Sequence, residues 1–482
     1  MAAIWLLVLG GLADRAEAGQ LQLVNNSPYP IACQVDGWPQ TFTVPSSGTV
    51  AVAPNATRPG PPIINSAWCG GLATRMMNIT PPGPNGTLVL TGAQTRVLNV
   101  ALYSFIPNPP NATFEPLVDQ VIATYQPQNP QVLLSVQMNP VAQNASPTKI
   151  YSFTELPAQL QQGGFDVMEI DTIYIGFLAQ GGLINPVQIS GDTPIPVALQ
   201  ASSFRGQLWA IPSWLCMDFV YSSTPSIQNV TTLSGMLQFL ASSPAGQPQL
   251  VGDFNGSWRL PSIYINAYVQ NYGIGQIGQA MVMPPDPATI SNMISMTATC
   301  ANAGVNNCTN GVYHNSATPG PTEQVFANGQ AGSDMGFSEQ SFYINVYAAT
   351  RWPLYVTPAV WGNLPQPILF SDAFVTSSAN CAPQSACAAD ATAFTTMMTG
   401  AAMKTYIVTS QDLGNMPWRT LLVATQPFYG QPLIANNPLY QQYQTVFSAA
   451  APFPNAFTAN VQNAMKAQIC TALQVQAPQY DC

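Results

Sequence analysis

Hydrophobic positions along this chain fall into two textures. Up to about residue 96 they come in short runs such as Gln20-Leu-Gln-Leu-Val24 and Thr87-Leu-Val-Leu-Thr91, separated by clusters of Pro, Gly and Asn. That pattern predicts short strands and turns, a small β-rich module over 19–96, and is equally compatible with a decorated extension packed on the main domain. From Val97 onward the texture changes. Strand-like runs over 97–103, 131–136 and 165–171 alternate with helix-like stretches over 115–125, 156–162 and 173–180, and longer helices are expected over 388–405 and 456–475. Strands alternating with helices predict an α/β domain with a parallel sheet over 97–482. In such sheets functional residues sit just past strand ends, which directs attention to Tyr103 and Asp171.

The N-terminus adds an apolar run, Met1-Ala-Ala-Ile-Trp-Leu-Leu-Val-Leu-Gly-Gly-Leu-Ala13, and then Ala16-Glu17-Ala18. This reads as a signal peptide over 1–18 ending in a small-residue cleavage site, with a buried helix as the alternative, and no later stretch is long and apolar enough to span a membrane. Charged residues make up only 6% of the chain, against roughly 25% in an ordinary soluble domain. The 11 bases are scattered singly among 20 acids, so no basic stripe exists to hold phosphates and nucleic acid is excluded as a partner. Nine N-x-S/T sequons, from Asn25 to Asn307, offer glycans that would keep so uncharged a surface soluble, which fits a secreted or lumenal protein. Eight of the nine cysteines fall into sequence-local pairs, Cys33 with Cys69, Cys300 with Cys308, Cys381 with Cys387 and Cys470 with Cys482. Proximity alone prompts that pairing, and an oxidising compartment makes disulfides the expected state. Cys216 is left over, either as a buried apolar residue or as a reactive thiol.

The inventory of reagents is short. The single histidine, His314, lies in a loop-like stretch and reads as a surface residue, which leaves no histidine for a cysteine-protease pair. With the other cysteines committed to disulfides a zinc site is not expected, and neither a phosphate-cradling glycine loop nor a G-x-S-x-G elbow occurs. A thiol is only slightly ionised at neutral pH and gains from a positioned base, so Cys216 needs a carboxylate partner. Glu339, one of six glutamates, sits among apolar and small residues in Met335-Gly-Phe-Ser-Glu-Gln-Ser-Phe-Tyr343. Burial there would raise its pKa toward neutrality, as a general base requires. The alternative is a helix N-terminus capped by Ser338, with Glu339 favoured by the helix dipole.

Several segments occur in an order that resembles extracellular solute-binding proteins: Phe165-Asp-Val-Met-Glu-Ile-Asp171, Gly206-Gln-Leu-Trp-Ala-Ile-Pro212 leading to Phe219-Val-Tyr221, and Val325-Phe-Ala-Asn-Gly-Gln330. The resemblance covers roughly residues 97–450 and implies two α/β lobes around a ligand cleft, the type II periplasmic-binding-protein-like fold. One variation sharpens it. Trp209-Ala-Ile-Pro-Ser-Trp-Leu-Cys216 is similar to the Pro-x-Trp-x-Cys stretch that carries the catalytic cysteine of the thiaminase I family. Gly336-Phe-Ser-Glu339 resembles that family's glutamate segment, and Ser371-Asp372 its later acidic segment.

The resemblance implies a secreted enzyme that displaces the thiazole of thiamine by a Cys216 nucleophile with Glu339 as base, and replaces it with an amine, a thiol or water. No metal and no cofactor are implied; the expected partners are thiamine and a small nucleophile, with the protein a monomer. A cleft for a permanently cationic thiazolium should hold carboxylates that bases do not neutralise; the candidates are Asp166, Glu169, Asp171 and Asp372, of which Asp171 and Asp372 are favoured. Flat faces for stacking and cation–π contact are available in Tyr103, Tyr151, Tyr174, Trp209, Trp214, Phe337 and Phe370, though taken singly most such aromatics are core. The N-terminal module and the sequons have no counterpart in the bacterial members of that family. Two readings from other classes stay open: a non-catalytic binding protein that buries Cys216 inertly, and a glycosylated structural or adhesion protein built around the β-module.

Overall fold

A computed structural model of the chain describes residues 20–25, 31–35, 41–45, 48–52, 67–69, 72–74, 85–90, 96–102, 105–109, 112–125, 128–129, 132–138, 153–162, 165–254, 258–313, 321–348, 353–447 and 449–473. The expected signal peptide, Tyr103, Tyr151, His314 and Cys482 lie outside them.

The N-terminal part forms two small sheets. In one, strand Gln20–Asn25 pairs antiparallel with Gly48–Val52 and parallel with Asn85–Leu90; the other orders Thr41–Val44, Ile31–Val35, Ala67–Cys69 and Leu72–Thr74. Cys33 and Cys69 are register partners there.

The rest builds two α/β layers around two sheets. The larger sheet runs Leu422–Val423, Ile211–Cys216, Ile368–Thr376, Val167–Asp171, Arg96–Leu102 and Val132–Met138, with Ala451–Pro452 added alongside Ile368–Thr376. The smaller runs Val251–Gly252, Asp334–Gly336, Phe219–Ser222 and Tyr355–Pro358. Helices cover both layers by simple amphipathic logic: in Glu115–Tyr125 the buried positions are Leu117, Val118, Val121 and Tyr125, one face of a 3.6-residue repeat. Strand Ile368–Thr376 is buried along its whole length, as a central strand covered on both faces must be.

The chain passes between the two sheets at points that define the cleft. Strands Ile211–Cys216 and Phe219–Ser222 belong to different sheets and are separated only by Met217 and Asp218. The return runs from Tyr355–Pro358 to Ile368–Thr376. Cys216 therefore stands at the last strand position before one crossing.

Three sequence expectations need adjusting. The sheet expected to be parallel is mixed: Val167–Asp171, Arg96–Leu102 and Val132–Met138 run parallel, whereas Ile368–Thr376 runs antiparallel to both Val167–Asp171 and Ile211–Cys216, because the chain enters these strands from crossings between the sheets. The long helix expected over 388–405 is two helices, Ala386–Thr399 and Ala401–Val408, because Gly400 leaves the helical region at ψ 143° and the Asp192 carboxylate accepts the Ala401 N–H (2.7 Å) to start the second. The helix expected over 173–180 opens with a 3₁₀ turn, Thr172–Tyr174, which Asp171 caps by accepting the Ile173 N–H (3.0 Å). Disulfides join Cys300 to Cys308 and Cys381 to Cys387, and Cys470 is also disulfide-bonded. Cys216 is the free thiol among the described residues.

Candidate active site

Strand register assembles the site. Cys216 pairs with Phe370, Trp214 with Asp372, and Asp372 on its other side with Asp171, so three strands bring these residues to adjacent positions of one sheet. A bulge between Pro212 and Trp214 shifts the pairing of strand Ile211–Cys216 just before the cleft. From the other sheet, Phe219 pairs with Gly336, which places Phe337, Ser338 and Glu339 beyond the end of strand Asp334–Gly336.

Charge in such a place is expensive, and that is informative. Asp372 is 3% exposed in the middle of a wholly buried strand, while Asp171, Glu339 and Cys216 are half-buried. Burial drives Asp372 well above the usual carboxylate range, with Asp171, Glu169 and Glu339 adding to the rise and Lys404 opposing it. Asp171 is pushed up to about 7 by burial, against the Ile173 N–H that favours its charged form. Glu339 is likewise pushed up to about 7 by burial, opposed by its own backbone N–H, the Ser338 hydroxyl and Arg259. The Cys216 thiol is raised by burial first and then by Asp372, Glu339, Asp171 and Asp218. Cys216 thus belongs to the same electrostatic cluster as the three carboxylates that the sequence singled out, and these surroundings favour its thiol over its thiolate.

Glu339 does stand at the start of a helix, Gln340–Tyr347, but its side chain makes no capping bond to the backbone ahead of it; its Oε2 accepts from the Ser338 hydroxyl (3.0 Å). The helix N-terminus foreseen from the sequence is real, and it does not use up the carboxylate. Arg259 is held by Asp218, 1% exposed, and its guanidinium carbon lies 4.7 Å from the centre of the Phe337 ring. The main-chain carbonyl of Phe337 accepts from the Tyr221 hydroxyl (2.8 Å), which also meets the Tyr443 hydroxyl (3.1 Å).

The described aromatic candidates fall in different places. Phe337 and Phe370 meet edge to face, 6.1 Å between centres, across the two sheets. Phe370 continues into Phe453 and Phe457, and Phe457 into Trp258, whose Nε1 donates to the Tyr174 hydroxyl (2.9 Å). Trp214 is 2% exposed, and its Nε1 has no hydrogen-bond partner among the described residues. Trp209 instead donates to the carbonyl of Phe204 within its own hairpin.

Sequence reasoning passed over Asp218, Arg259, Lys404, Ser213, Trp258 and Phe453. A signal existed for Lys404: it is a lone charge in the apolar stretch Ala401-Ala-Met-Lys-Thr-Tyr-Ile-Val408. Asp218 is likewise a lone charge in the apolar stretch Trp214-Leu-Cys-Met-Asp-Phe-Val-Tyr221, but its pairing with Arg259 spans 41 residues and leaves no local mark.

No protein-family model and no curated protein matches the sequence. Solved structures do match. Thiaminase I from Bacillus thiaminolyticus aligns with a TM-score of 0.61 at 19% identity, covering 78% of this chain and 99% of its own. Clostridium botulinum thiaminase I, solved in complex with thiamin, aligns at 0.60 and 17%, covering 78% and 100%. The GacH receptor of Streptomyces glaucescens, solved unliganded and with acarbose, aligns at 0.55 and 13%, covering 80% and 95%. At these identities the likeness establishes the fold, and the chain has the two-lobed, type II periplasmic-binding-protein-like architecture that the sequence segments imply.

Proposed function

We propose that this protein cleaves thiamine by nucleophilic substitution at the pyrimidine methylene, as a thiaminase I-type enzyme. The observation that carries the reading is the cluster at the crossing: a free cysteine on the strand that pairs with Asp372, Asp372 paired in register with Asp171, and the Glu339 carboxylate acting electrostatically on the thiol from the other sheet's side. Carboxylates gathered beside the Phe337 and Phe370 rings suit a flat ring bearing a permanent positive charge. The same fold in a thiamin-bound thiaminase I supports that choice of ligand.

In the first half-reaction Glu339 takes the proton of the Cys216 thiol as Sγ bonds to the pyrimidine ring, and a neighbouring acid protonates the ring nitrogen that receives the displaced electron pair. A cationic substrate entering the pocket favours this step, because it offsets the carboxylates that hold the thiol proton on. The bond between methylene carbon and thiazolium nitrogen then breaks with its electrons on the thiazole, which leaves neutral. Glu339, its proton released to solvent, deprotonates the incoming amine, thiol or water as that nucleophile bonds to the methylene carbon. Cys216 leaves the ring with its bonding pair, and the ring nitrogen gives up its proton. Overall, the thiamine cation and the neutral nucleophile, which brings the proton it loses, yield a substituted pyrimidine, neutral thiazole and one proton, with Cys216 reprotonated to a thiol and Glu339 returned to a carboxylate.

The signal peptide and sequons expected from the sequence support a secreted or lumenal enzyme; among the described residues no helix is long and apolar enough to cross a membrane. The rival reading, a binding protein for a small cationic or heteroaromatic ligand, draws on the sugar-binding proteins that share the fold. Incubation with thiamine and an added primary amine, followed by mass analysis, decides between them. The enzyme reading expects the amine-substituted pyrimidine, and thiamine recovered intact sinks it.

A further inference from the structure

Glu339 follows a turn that two chains of hydroxyl groups hold in place. The Ser341 hydroxyl, in the first turn of helix Gln340–Tyr347, donates to the main-chain carbonyl of Ser338 (2.8 Å) and also bonds to the Thr420 hydroxyl. A serine hydroxyl has one proton, so at the second bond Thr420 is the donor. One residue earlier the Tyr221 hydroxyl donates to the Phe337 carbonyl, and by the same count Tyr443 donates to Tyr221. Ser338, Ser341, Tyr221 and Tyr443 are completely buried and Thr420 nearly so, which puts these bonds out of reach of bulk water. The Ser338 oxygen belongs to the planar peptide unit that ends at the Glu339 nitrogen, so holding that oxygen fixes the plane from which the Glu339 side chain departs.

The two chains come from different sides of the cleft. Tyr221 lies in the smaller sheet, together with the strand that leads into the turn. Thr420 instead precedes strand Leu422–Val423 of the larger sheet, and Leu422 pairs with Leu215, the neighbour of Cys216. Arg419, completely buried, anchors it there: its N–H donates to the Val408 carbonyl (2.8 Å), and its guanidinium to the Pro107 carbonyl (2.7 Å) and to both Asp412 oxygens (2.6 and 2.7 Å). Thr420 has φ +50°, a left-handed conformation that a β-branched residue adopts only where its surroundings compel it. Glycine would relieve that strain but has no hydroxyl to give Ser341.

We propose that Thr420 is a positioning residue for the base: acting through Ser341, it ties the Ser338–Glu339 peptide to the strand layer that carries Cys216 and so fixes Glu339 relative to the thiol. The proposal rests on the role given to Glu339 above and deepens it by naming what sets base against nucleophile across the cleft.

Thr420→Val removes the hydroxyl and keeps the shape, whereas Thr420→Ser keeps the hydroxyl. Hydrogen–deuterium exchange reads the tie without thiamine. The amides of Gln340, Ser341 and Phe342, bonded to the carbonyls of Phe337, Ser338 and Glu339, should exchange about tenfold faster in Thr420→Val and at the wild-type rate in Thr420→Ser, with helix Glu115–Tyr125 unchanged as the control. Unchanged exchange in the turn overturns the proposal, and so does an equal acceleration in the control helix, the sign of a general loss of stability. On thiamine, Thr420→Val should lower kcat about tenfold with KM within about threefold of wild type, and Thr420→Ser should restore most of the loss. Added to Glu339→Gln, Thr420→Val should cost nothing more, because a tie that acts only through the base then has nothing left to position. An unchanged kcat, a rise in KM alone, or losses that add contradict the assignment. Should Thr420→Val not fold, Ser341→Ala takes its place, with the same expected and overturning results. A wild-type protein that leaves thiamine intact removes the proposed function, whereas exchange in the turn still decides whether Thr420 holds it.

Discussion

Replacing Glu339 with Gln should make the protein more stable above pH 7 and at the same time nearly inactive. In the fold the Glu339 carboxyl is raised from 4.5 to about 7, chiefly by burial. At about 1.4 kcal/mol per unit, that places the cost of keeping it ionised near 3 kcal/mol, an upper bound because the side chain retains partial contact with water. The folded chain binds this proton more tightly than the unfolded one. Below pH 4.5 both forms are protonated and Glu339 costs nothing; between 4.5 and about 7 the unfolded form ionises first and stability falls; above 7 the penalty is constant. Glutamine cannot ionise and still accepts the Ser338 hydroxyl, so Glu339→Gln should match wild type near pH 4 and exceed it at pH 8 by up to about 3 kcal/mol. Turnover runs the other way. A base works only when ionised, so wild-type activity should climb through the same pH interval, and the variant should lose roughly 10²–10⁴-fold. Thermal unfolding followed by circular dichroism at pH 4.5, 6 and 8, together with thiamine consumption, reads both effects. A variant less stable than wild type at pH 8 would show that Glu339 serves the helix; wild-type turnover would send the search for a base to the aspartates.

Three further outcomes rest on the same geometry. Alkylation of the native protein without reductant should label a single cysteine, Cys216, and thiamine should slow that labelling; two or more labelled cysteines would contradict the disulfide pattern. Asp372→Asn should weaken thiamine binding at least about tenfold and, by removing the strongest charge acting on the thiol, shift the alkylation profile of Cys216 to lower pH; an upward shift would show that Asp372 is not charged beside it. Arg259→Met leaves Asp218 buried without its partner and should lower stability by about 3–5 kcal/mol in urea unfolding, and a loss below about 1 kcal/mol would mean that the pair is dispensable.

The strands were readable from the sequence because apolar residues dominate them: 97–103 is apolar apart from Asn99 and 131–136 apart from Gln131 and Ser135, and they form Arg96–Leu102 and Val132–Met138 with shifts of one or two residues. Helix Glu115–Tyr125 was legible to the residue, its acidic start and apolar face both local signals. The break at Gly400 was not, because the carboxylate that starts the second helix, Asp192, lies 209 residues away. Glu339 stood out among apolar and small residues, Cys216 as the odd cysteine, Asp171 at a strand end and Asp372 through the family resemblance, yet what brings Cys216, Asp171 and Asp372 together is register, Asp171 opposite Asp372 and Trp214 on its other side, and register between segments so far apart leaves no mark in the chain. Lys404 illustrates the remainder. Its oddity within an apolar helix is visible in the sequence, whereas its partners Ser213, Trp214 and Glu169 come from two other strands.

The central claim is that Cys216 in this cleft breaks the bond between the two rings of thiamine. The most direct measurement is release of the free thiazole from thiamine, followed by chromatography with wild type and Cys216→Ser side by side, and with thiamine binding to both measured by calorimetry. The account predicts thiazole released by wild type, none above background from Cys216→Ser, and binding retained by both, because serine keeps the shape but cannot supply a thiolate. No thiazole from the wild-type protein, or equal release from the two, would contradict it.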